Sequence, residues 1–337
     1  MLIYILKRLL LAGATLLAIL FVSYAMLRLA PGDPTRSSMF GSDNAGSAVD
    51  SEKGGFIRNT ALREKLDLDR PILEGFYRWL KKIVLHGDFG ESASVDPGKP
   101  VTALILERLP VTLTLNCWAV LITYLLAIPI GVWTAAHAGS FGDRFAEILL
   151  FALYSLPVMW VGLMLQALLC EGGLHALFPL HGLSVPEPER LSIWRLQLEI
   201  IRHYALPVLC LCYGGFAGLS RYARGSMLEV IHCDFIRTAR AKGVPEFEVI
   251  WCHGFRNALI TLITLFGGLL PGLVAGSVIV EYIFNIPGMG SLSLLALSSR
   301  DYPLQMALFA FSGFLTLSGI MLADLLYVAA DPRIKLS

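Results

Sequence analysis

The chain has 337 residues, of which 55% are hydrophobic and 16% charged, with a formal net charge of +1. Soluble domains carry about 25% charged residues, so this composition, with a mean hydropathy of +0.65, favours a protein embedded in a bilayer. The near-neutral charge and the scattered basic residues argue against a nucleic-acid-binding protein.

Six apolar stretches are long enough to cross a bilayer, which needs about 20 mostly apolar residues per helix. They are residues 9–29, 109–136, 145–170, 203–220, 258–283 and 304–329. The fold class predicted from them is an all-α polytopic membrane protein with six transmembrane helices.

Short basic segments place both termini on the cytoplasmic side, because positively charged loops stay inside. The predicted organisation is an N-terminal transmembrane helix over 1–30, a periplasmic segment over 31–107, a core of five transmembrane helices over 108–330, and a cytoplasmic tail over 331–337. The core includes a basic loop over 221–257. In the periplasmic segment, residues 61–85 are predicted to form an outer-surface helix that Pro71 interrupts.

A polar run between the fourth and fifth spans predicts a helix, a hinge and a second helix. Residues 226–242 favour helix, Gly243 suits the left-handed position that ends one, and Pro245 is placed to begin the next. Ile231, Phe235 and Ala239 follow at i, i+4 and i+8, which predicts a narrow apolar stripe that docks on a partner. The simpler interpretation is a basic cytoplasmic loop that only maintains the topology.

Individual roles follow from the chemistry of this run. Gly243 permits the tight reversal, and the small side chains of Ala239 and Ala241 would let a partner approach closely. Asp234 and Arg237 would pair with that partner or with each other at i, i+3, or would form an ordinary solvated face. Thr238, between Arg237 and Ala239, belongs to the same set of candidate docking residues.

Two carboxylates lie within apolar spans, where burying an acid is costly and therefore marks a functional candidate. Glu281 near the outer end of the fifth span and Asp324 in the sixth are candidate residues of a substrate path. The alternatives are helix packing for both, a headgroup position for Glu281, and pairing of Asp324 with the backbone or with Arg333.

The run Arg237-Thr-Ala-Arg-Ala-Lys-Gly243 resembles the signature loop of ABC importer permeases of the dipeptide and oligopeptide (peptide/nickel) family. Further motifs similar to those of the family occur in the same order along the chain: Ala30-Pro-Gly-Asp-Pro34, Gly87-Asp-Phe-Gly90, Phe284-Asn-Ile-Pro-Gly-Met-Gly290 and Arg300-Asp-Tyr-Pro303. The chain resembles the first, or B-type, permease subunit. It departs from the family at Thr261, which replaces a usual proline and predicts a less kinked start of the fifth helix.

The resemblance implies the type I ABC importer permease fold and a subunit with no catalytic residues, no metal site and no cofactor of its own. The sequence has no phosphate-binding loop, zinc helix or nucleophile elbow. ATP and Mg are then expected in two partner ATPase subunits, which the loop over 226–257 would contact. A second homologous permease in a heterodimer, a periplasmic or lipid-anchored solute-binding protein and membrane lipid are the other expected partners, and nucleic acid is not expected.

The implied function is peptide import across the bacterial cytoplasmic (inner) membrane, coupled to ATP hydrolysis by the partners. Alternatives are a nickel chelate or another small solute as cargo within the same family, a secondary transporter that does not use ATP, and a polytopic membrane enzyme. A secondary transporter is favoured by inverted repeats and paired midplane charges, and an enzyme by a nucleophile with its base or a metal pair. Neither pattern is evident in the sequence.

Overall fold

The computed structural model describes residues 2–30, 70–183, 185, 188–259, 262, 272–273 and 276–330, and in this part of the chain the secondary structure is helical apart from turns and two isolated β-bridges. The longer helices are α1 (Leu2–Leu29), α2 (Ile72–His86), α3 (Val101–Ala136), α4 (Phe141–Ser155), α5 (Val158–Leu169) and α6 (Ile193–Ile231). They are followed by α7 (Asp234–Ala241), α8 (Glu246–Glu248) with a π-helical continuation over Val249–Phe255, α9 (Val278–Ile283), α10 (Met289–Ser298) and α11 (Tyr302–Ala330). A 3-10 turn over Pro188–Arg190 precedes α6.

Four helical segments in the described residues are long and apolar enough to cross a membrane: Leu6–Leu29, Val101–Ala136, Ile193–Ile231 and Tyr302–Leu322. The pair α4 and α5 makes a fifth if it is taken as one bent span. Most of the predicted span over 258–283, together with Thr261, lies outside the described residues, as does most of the periplasmic segment. The chain is therefore an all-helical polytopic membrane protein with four or five spans in its described part.

The third predicted span, 145–170, is wrong as a single helix, because the structure divides it into α4 and α5 at a bend of 93°. Leu156, which precedes Pro157, has an extended backbone with φ −82° and ψ 127°. A residue before proline is pushed out of the helical region by the proline ring. Helix α4 therefore ends there, and α5 begins in a new direction after the proline.

The chain divides into two compact units, one of Met1–Pro110 and Ser291–Ser318 and the other of Val111–Gly290 and Gly319–Leu336. In the first unit, Asp301 is fully buried, and its carboxylate Oδ2 accepts hydrogen bonds from the Ser92 hydroxyl and from the backbone N–H groups of residues 93, 94 and 95. A carboxylate with several N–H donors satisfies its buried charge. The segment before α3 is thereby attached to the start of α11.

In the second unit, α3 packs closely against α6. A side chain at Gly131 would lie 2.5 Å from the Ser220 carbonyl oxygen and 2.7 Å from Ala223 Cβ, so only glycine permits this approach. The Ser220 hydroxyl donates to the Ala127 carbonyl at 3.0 Å and ties the two helices at the same level. Helix α6 runs without a break for 39 residues and leads directly towards the polar run at 234–248.

Candidate functional site

The predicted helix over 226–242 is interrupted in the structure, where α6 ends at Ile231 and α7 begins at Asp234. The Cys233 carbonyl accepts from the backbone N–H of Ile236 at 3.1 Å and of Arg237 at 3.4 Å, which starts the new helix. The chain therefore carries a separate eight-residue helix beyond the end of its longest helix.

A glycine reversal ends α7. Gly243 has φ +77°, its N–H donates to the Arg240 carbonyl, and the N–H of Val244 donates to the Ala239 carbonyl. These two bonds form a Schellman motif, in which the residue after the helix cap adopts the left-handed conformation. Pro245 then precedes α8, as the sequence predicts. The hinge consequently has a defined geometry with satisfied backbone groups.

The inner face of α7 differs from the predicted stripe of Ile231, Phe235 and Ala239. Ile236 is 1% exposed and Ala239 8%, and both pack with Val249. Phe235 instead is 44% exposed. The prediction identified only part of the buried face, because the second helix folds back on α7 and selects which side is covered. The Ala239 methyl therefore packs inside the loop, where it does not face a partner.

The outer face of α7 is polar and accessible. The side chains of Asp234 and Arg237 are 95% and 71% exposed, and their nearest charged atoms are 3.4 Å apart. The Thr238 hydroxyl donates to the Asp234 carbonyl at 2.9 Å, and Ala241 is exposed. An ion pair this exposed contributes little to stability. Its charges are therefore available to a binding partner.

Arg240 and Glu246 join the two helices across the reversal. The guanidinium donates twice to the carboxylate, from Nε at 3.2 Å and from Nη2 at 2.6 Å. The hydrogen bonds from Arg240 hold the pKa of Glu246 below its ordinary value of 4.5, and Glu246 raises the pKa of the guanidinium. The pair is bidentate, a geometry that fixes the relative orientation of its two carriers.

Phe247 is an exposed aromatic side chain on the short helix α8, with 72% of its surface accessible. Its ring centroid lies 6.3 Å from that of Trp251 in the π-helical stretch. Sequence reasoning missed Phe247 as well as Ile236. A signal for Phe247 was present, since an aromatic residue flanked by Glu246 and Glu248 in a short polar helix has little apolar surface beside it to pack against.

A second ion pair links the first turn of α4 to α6. Arg224 donates to Asp143 from Nε at 3.0 Å and from Nη2 at 2.8 Å, and the Asp143 side chain is only 3% exposed. Asp143 also accepts from the Gly139 N–H at 2.9 Å, while its own N–H donates to Ser140 Oγ. Arg224 lies two turns before the end of α6, so the pair attaches α4 to α6 shortly before α7 begins.

The structure encloses Glu281, one of the two candidate path residues. It is 3% exposed, and the Thr112 hydroxyl donates to its Oε1 at 3.2 Å while accepting from the Met289 N–H at 2.7 Å. A Cβ at Gly276 would lie 2.6 Å from the same oxygen. Thr112 of α3 thus connects Glu281 in α9 with Met289 at the start of α10. Asp324 lies within α11, and its side chain is outside the described part of the protein.

A cavity of about 400 Å³ lies between α3 and α6 in the second unit. Its described lining is neutral and combines an amide and hydroxyl groups with glycines and apolar side chains, among them Asn116, Thr123, Tyr124, Gly215, Leu219 and Tyr222. The Asn116 amide donates to the Leu273 carbonyl at 2.7 Å. Neither Glu281 nor any other charged residue is among these lining residues.

No group of three or more histidine, cysteine, aspartate or glutamate side chains that could hold a metal ion occurs among the described residues.

Comparison with known proteins places this geometry in a family. Residues 127–336 match the binding-protein-dependent transport system inner membrane component, and residues 1–116 match the N-terminal model of the corresponding membrane component. The chain is similar to the oligopeptide transport system permease protein AppB of Bacillus subtilis, with 38% identity over 332 residues that cover 98% of this chain and 99% of the relative.

Two further relatives extend over nearly the whole chain. The inner membrane ABC transporter permease protein YejB of Escherichia coli O157:H7 is 32% identical over 98% of both chains. A putative peptide permease protein of Brucella ovis is 34% identical over 100% of both. The chain therefore belongs to the binding-protein-dependent transport system inner membrane components, the permease subunits of ABC importers.

Proposed function

We propose that this permease imports peptides and that the segment 226–257 receives the movement of partner ATPase subunits. The observation that supports the coupling role is the way in which α7 and α8 are packed together. The two helices share a core, a Schellman reversal at Gly243 and the bidentate bond between Arg240 and Glu246. They form one body, and Phe235, Arg237 and Phe247 project from it.

Exposed aromatic and arginine side chains are the residue types that dominate protein interfaces. On this segment they are Phe235, Phe247 and Arg237, with Asp234 and Thr238 beside them. An ATPase surface that accepts the two rings in a cleft and pairs with Arg237 fits this pattern. Ile236 and Ala239 support the surface from inside, while Ala241 leaves room beside it.

Movement of the docked segment would pass to the membrane through α6. Because α6 is continuous up to Ile231, a displacement of α7 acts on the end of a single long helix. The bonds between Arg224 and Asp143 would carry part of that displacement to the first turn of α4. Such a two-state movement of packed helices is the usual form of transmission from a nucleotide-driven partner.

The peptide assignment is supported by two of the relatives, which are named as an oligopeptide permease and a putative peptide permease. The cavity between α3 and α6, whose described lining is neutral, agrees with it. Peptides share an amide backbone and vary in side-chain charge, so a path lined by amide, hydroxyl and apolar groups transports them without selecting one sign of charge.

Four further subunits complete the proposed transporter. A second, homologous permease forms a heterodimer with this chain, two ATPases bind ATP and Mg, and a periplasmic or lipid-anchored solute-binding protein delivers the cargo. Both termini of the chain lie in the cytoplasm, in keeping with the basic residues Lys7 and Arg8 at one end and the basic loop over 221–257.

The coupling role is tested with Phe247→Ala in the complete transporter reconstituted in liposomes. Phe151→Ala is the matched control, since Phe151 is 59% exposed and lies on α4 away from the reversal. The expected result is a loss of co-purifying ATPase and of ATP-dependent uptake of a labelled oligopeptide for Phe247→Ala only. Unchanged ATPase binding and uptake in Phe247→Ala would refute this docking surface, and uptake without ATP would refute the importer assignment.

A further inference from the structure

Helix α2 has an apolar arc that is wider than its contact with the rest of the described protein requires. Ile72, Phe76, Trp79 and Ile83 follow one side of the helix, and Leu73, Tyr77, Leu80 and Val84 follow the adjacent side. At 100° per residue these eight side chains span an arc of about 160°, a little under half of the circumference. A helix that packs on only one neighbour needs a single stripe of about 100°.

The first side of α2 packs against the final turns of α1. The Phe76 ring lies 5.3 Å from the Phe21 ring in an edge-on arrangement, and 5.7 Å from the Tyr24 ring. At Gly75 the Tyr24 hydroxyl comes so close that a Cβ would overlap it. The Arg28 guanidinium at the end of α1 donates to the Arg70 carbonyl at 2.6 Å, just before α2 begins. Helix α2 is therefore fixed beside the end of α1.

The end of α1 is where a membrane-spanning helix of this length meets the headgroup region. Its 28 residues extend about 42 Å, which exceeds the hydrocarbon thickness of about 30 Å. Tyr24, Trp79 and Tyr77 lie at this level, and aromatic residues of this kind concentrate at membrane interfaces. Met26 and Leu29 of α1 are 69% and 73% exposed, so the surface beside α2 is itself apolar.

The second side of α2 is not covered by any described part of the protein. Leu73, Tyr77 and Val84 are 71%, 65% and 73% exposed, and Leu80 is partly exposed. Four apolar side chains in one stripe on a helix that adjoins a membrane span form a continuous apolar surface with that span. Exposure of this kind on an ordinary water-soluble surface is uncommon and marks a binding face.

The remaining side of α2 is basic. Glu74 is paired with Arg70 at 2.6 Å and with Arg78 at 3.2 Å. Lys81 and Lys82 are exposed and have no ion pair within the described part of the chain. A wide apolar arc bordered by lysines is the pattern of a helix that lies in the plane of an interface and attracts anionic lipids.

We propose that α2 is an interfacial membrane helix that inserts Leu73, Tyr77, Leu80 and Val84 into the outer leaflet, while Lys81 and Lys82 contact the headgroups of anionic phospholipids. The proposal is independent of the cargo and of the coupling role. It assigns a lipid-binding surface to the periplasmic side of the permease. One edge of the apolar arc of α2 packs against α1, and the other edge contacts the bilayer.

The test uses the complete transporter in nanodiscs of phosphatidylethanolamine with about 30% phosphatidylglycerol as the anionic component. The photoreactive residue p-benzoylphenylalanine is placed at Tyr77 or, as the matched control, at Leu85. Tyr77 and Leu85 are 65% and 63% exposed, but Leu85 lies on the basic side of the helix. After irradiation, lipid adducts on this subunit are quantified by intact-protein mass spectrometry.

The expected result is at least about fivefold more lipid adduct from position 77 than from position 85, because only the former faces the acyl chains. Equal yields at the two positions, or cross-links from position 77 to the solute-binding protein or to the second permease, would overturn the proposal. The double substitution Lys81→Gln with Lys82→Gln is expected to lower the phosphatidylglycerol share of the adducts about twofold. An unchanged share would refute the role of the lysines.

Discussion

Substitutions at Gly243 separate backbone strain from steric contact at the reversal of the coupling segment. The residue has φ +77°, and nothing lies within 4 Å of the position where a Cβ would be built. Gly243→Ala therefore introduces no clash, and its cost is that of an L-residue in the left-handed region, about 1–2 kcal/mol. Gly243→Asn costs less because asparagine visits this region more readily, and Gly243→Val costs more because it is β-branched.

These costs set a ceiling on the loss of affinity for the ATPase subunits. A penalty of about 1.4 kcal/mol changes an equilibrium tenfold, so the cost of about 1–2 kcal/mol is expected to weaken ATPase binding in Gly243→Ala by about fivefold to at most about 30-fold. The full effect is reached only if docking requires the native reversal in every complex. The assay titrates purified ATPase subunits against the permease pair in nanodiscs, with ATP-dependent peptide uptake as the second readout.

The control for this series is Gly98→Ala. Gly98 has φ +89° and equally open surroundings, but it lies in the segment before α3, far along the chain from the coupling loop. The expected order of affinity is glycine, then asparagine, then alanine, then valine, with Gly98→Ala like the parent. An asparagine variant as weak as the valine variant, or an equal loss in Gly98→Ala, would refute the reasoning.

Three further predictions concern single contacts. Asp143→Asn is expected to destabilise the protein by about 1–3 kcal/mol, because it leaves Arg224 without its buried carboxylate; thermal unfolding in detergent measures it. Gly75→Ala is expected to lower thermal stability through overlap with the Tyr24 hydroxyl, and Tyr24→Phe in the same chain should restore most of the loss, since the next ring atom is 3.4 Å away. Arg240 lowers the pKa of Glu246, so the stability that this pair contributes should be fully present above pH about 4.5. It should be lost only as the pH falls through the lower pKa that Glu246 has in the folded protein. ATPase binding should therefore be constant between pH about 6 and 8.

Each of these has a result that would contradict it. Asp234→Asn removes an acid whose side chain is 95% exposed, so it serves as the comparison for Asp143→Asn, and equal losses in the two variants would argue against the buried pair. Failure of Tyr24→Phe to rescue Gly75→Ala would mean that the overlap is not the cause. ATPase binding that changes steeply near neutral pH and is unaffected by Glu246→Gln would show that another group controls it.

The sequence by itself determined the class of the protein and the geometry of the reversal at Gly243. Composition and span length follow from the bilayer as solvent, because every spanning segment must be apolar, about 20 residues long and satisfied in its own backbone hydrogen bonds. The reversal at Gly243 and the helix start after Pro245 are likewise local, because backbone conformations of glycine and proline do not need distant contacts. The structure confirms both local predictions, with a left-handed Gly243 and a helix that begins after Pro245.

Tertiary structure alone decided which faces are covered and which distant residues meet. Ile236 is buried because Val249 folds back onto α7. The periodicity of one helix carries no information about that neighbour. Asp143 and Arg224 are 81 residues apart, and α4 separates from α5 by a bend whose angle depends on packing after Pro157. Glu281 was a plausible path residue from its position, yet its exposure depends on Gly276 and Thr112, which only the folded chain brings to its carboxylate.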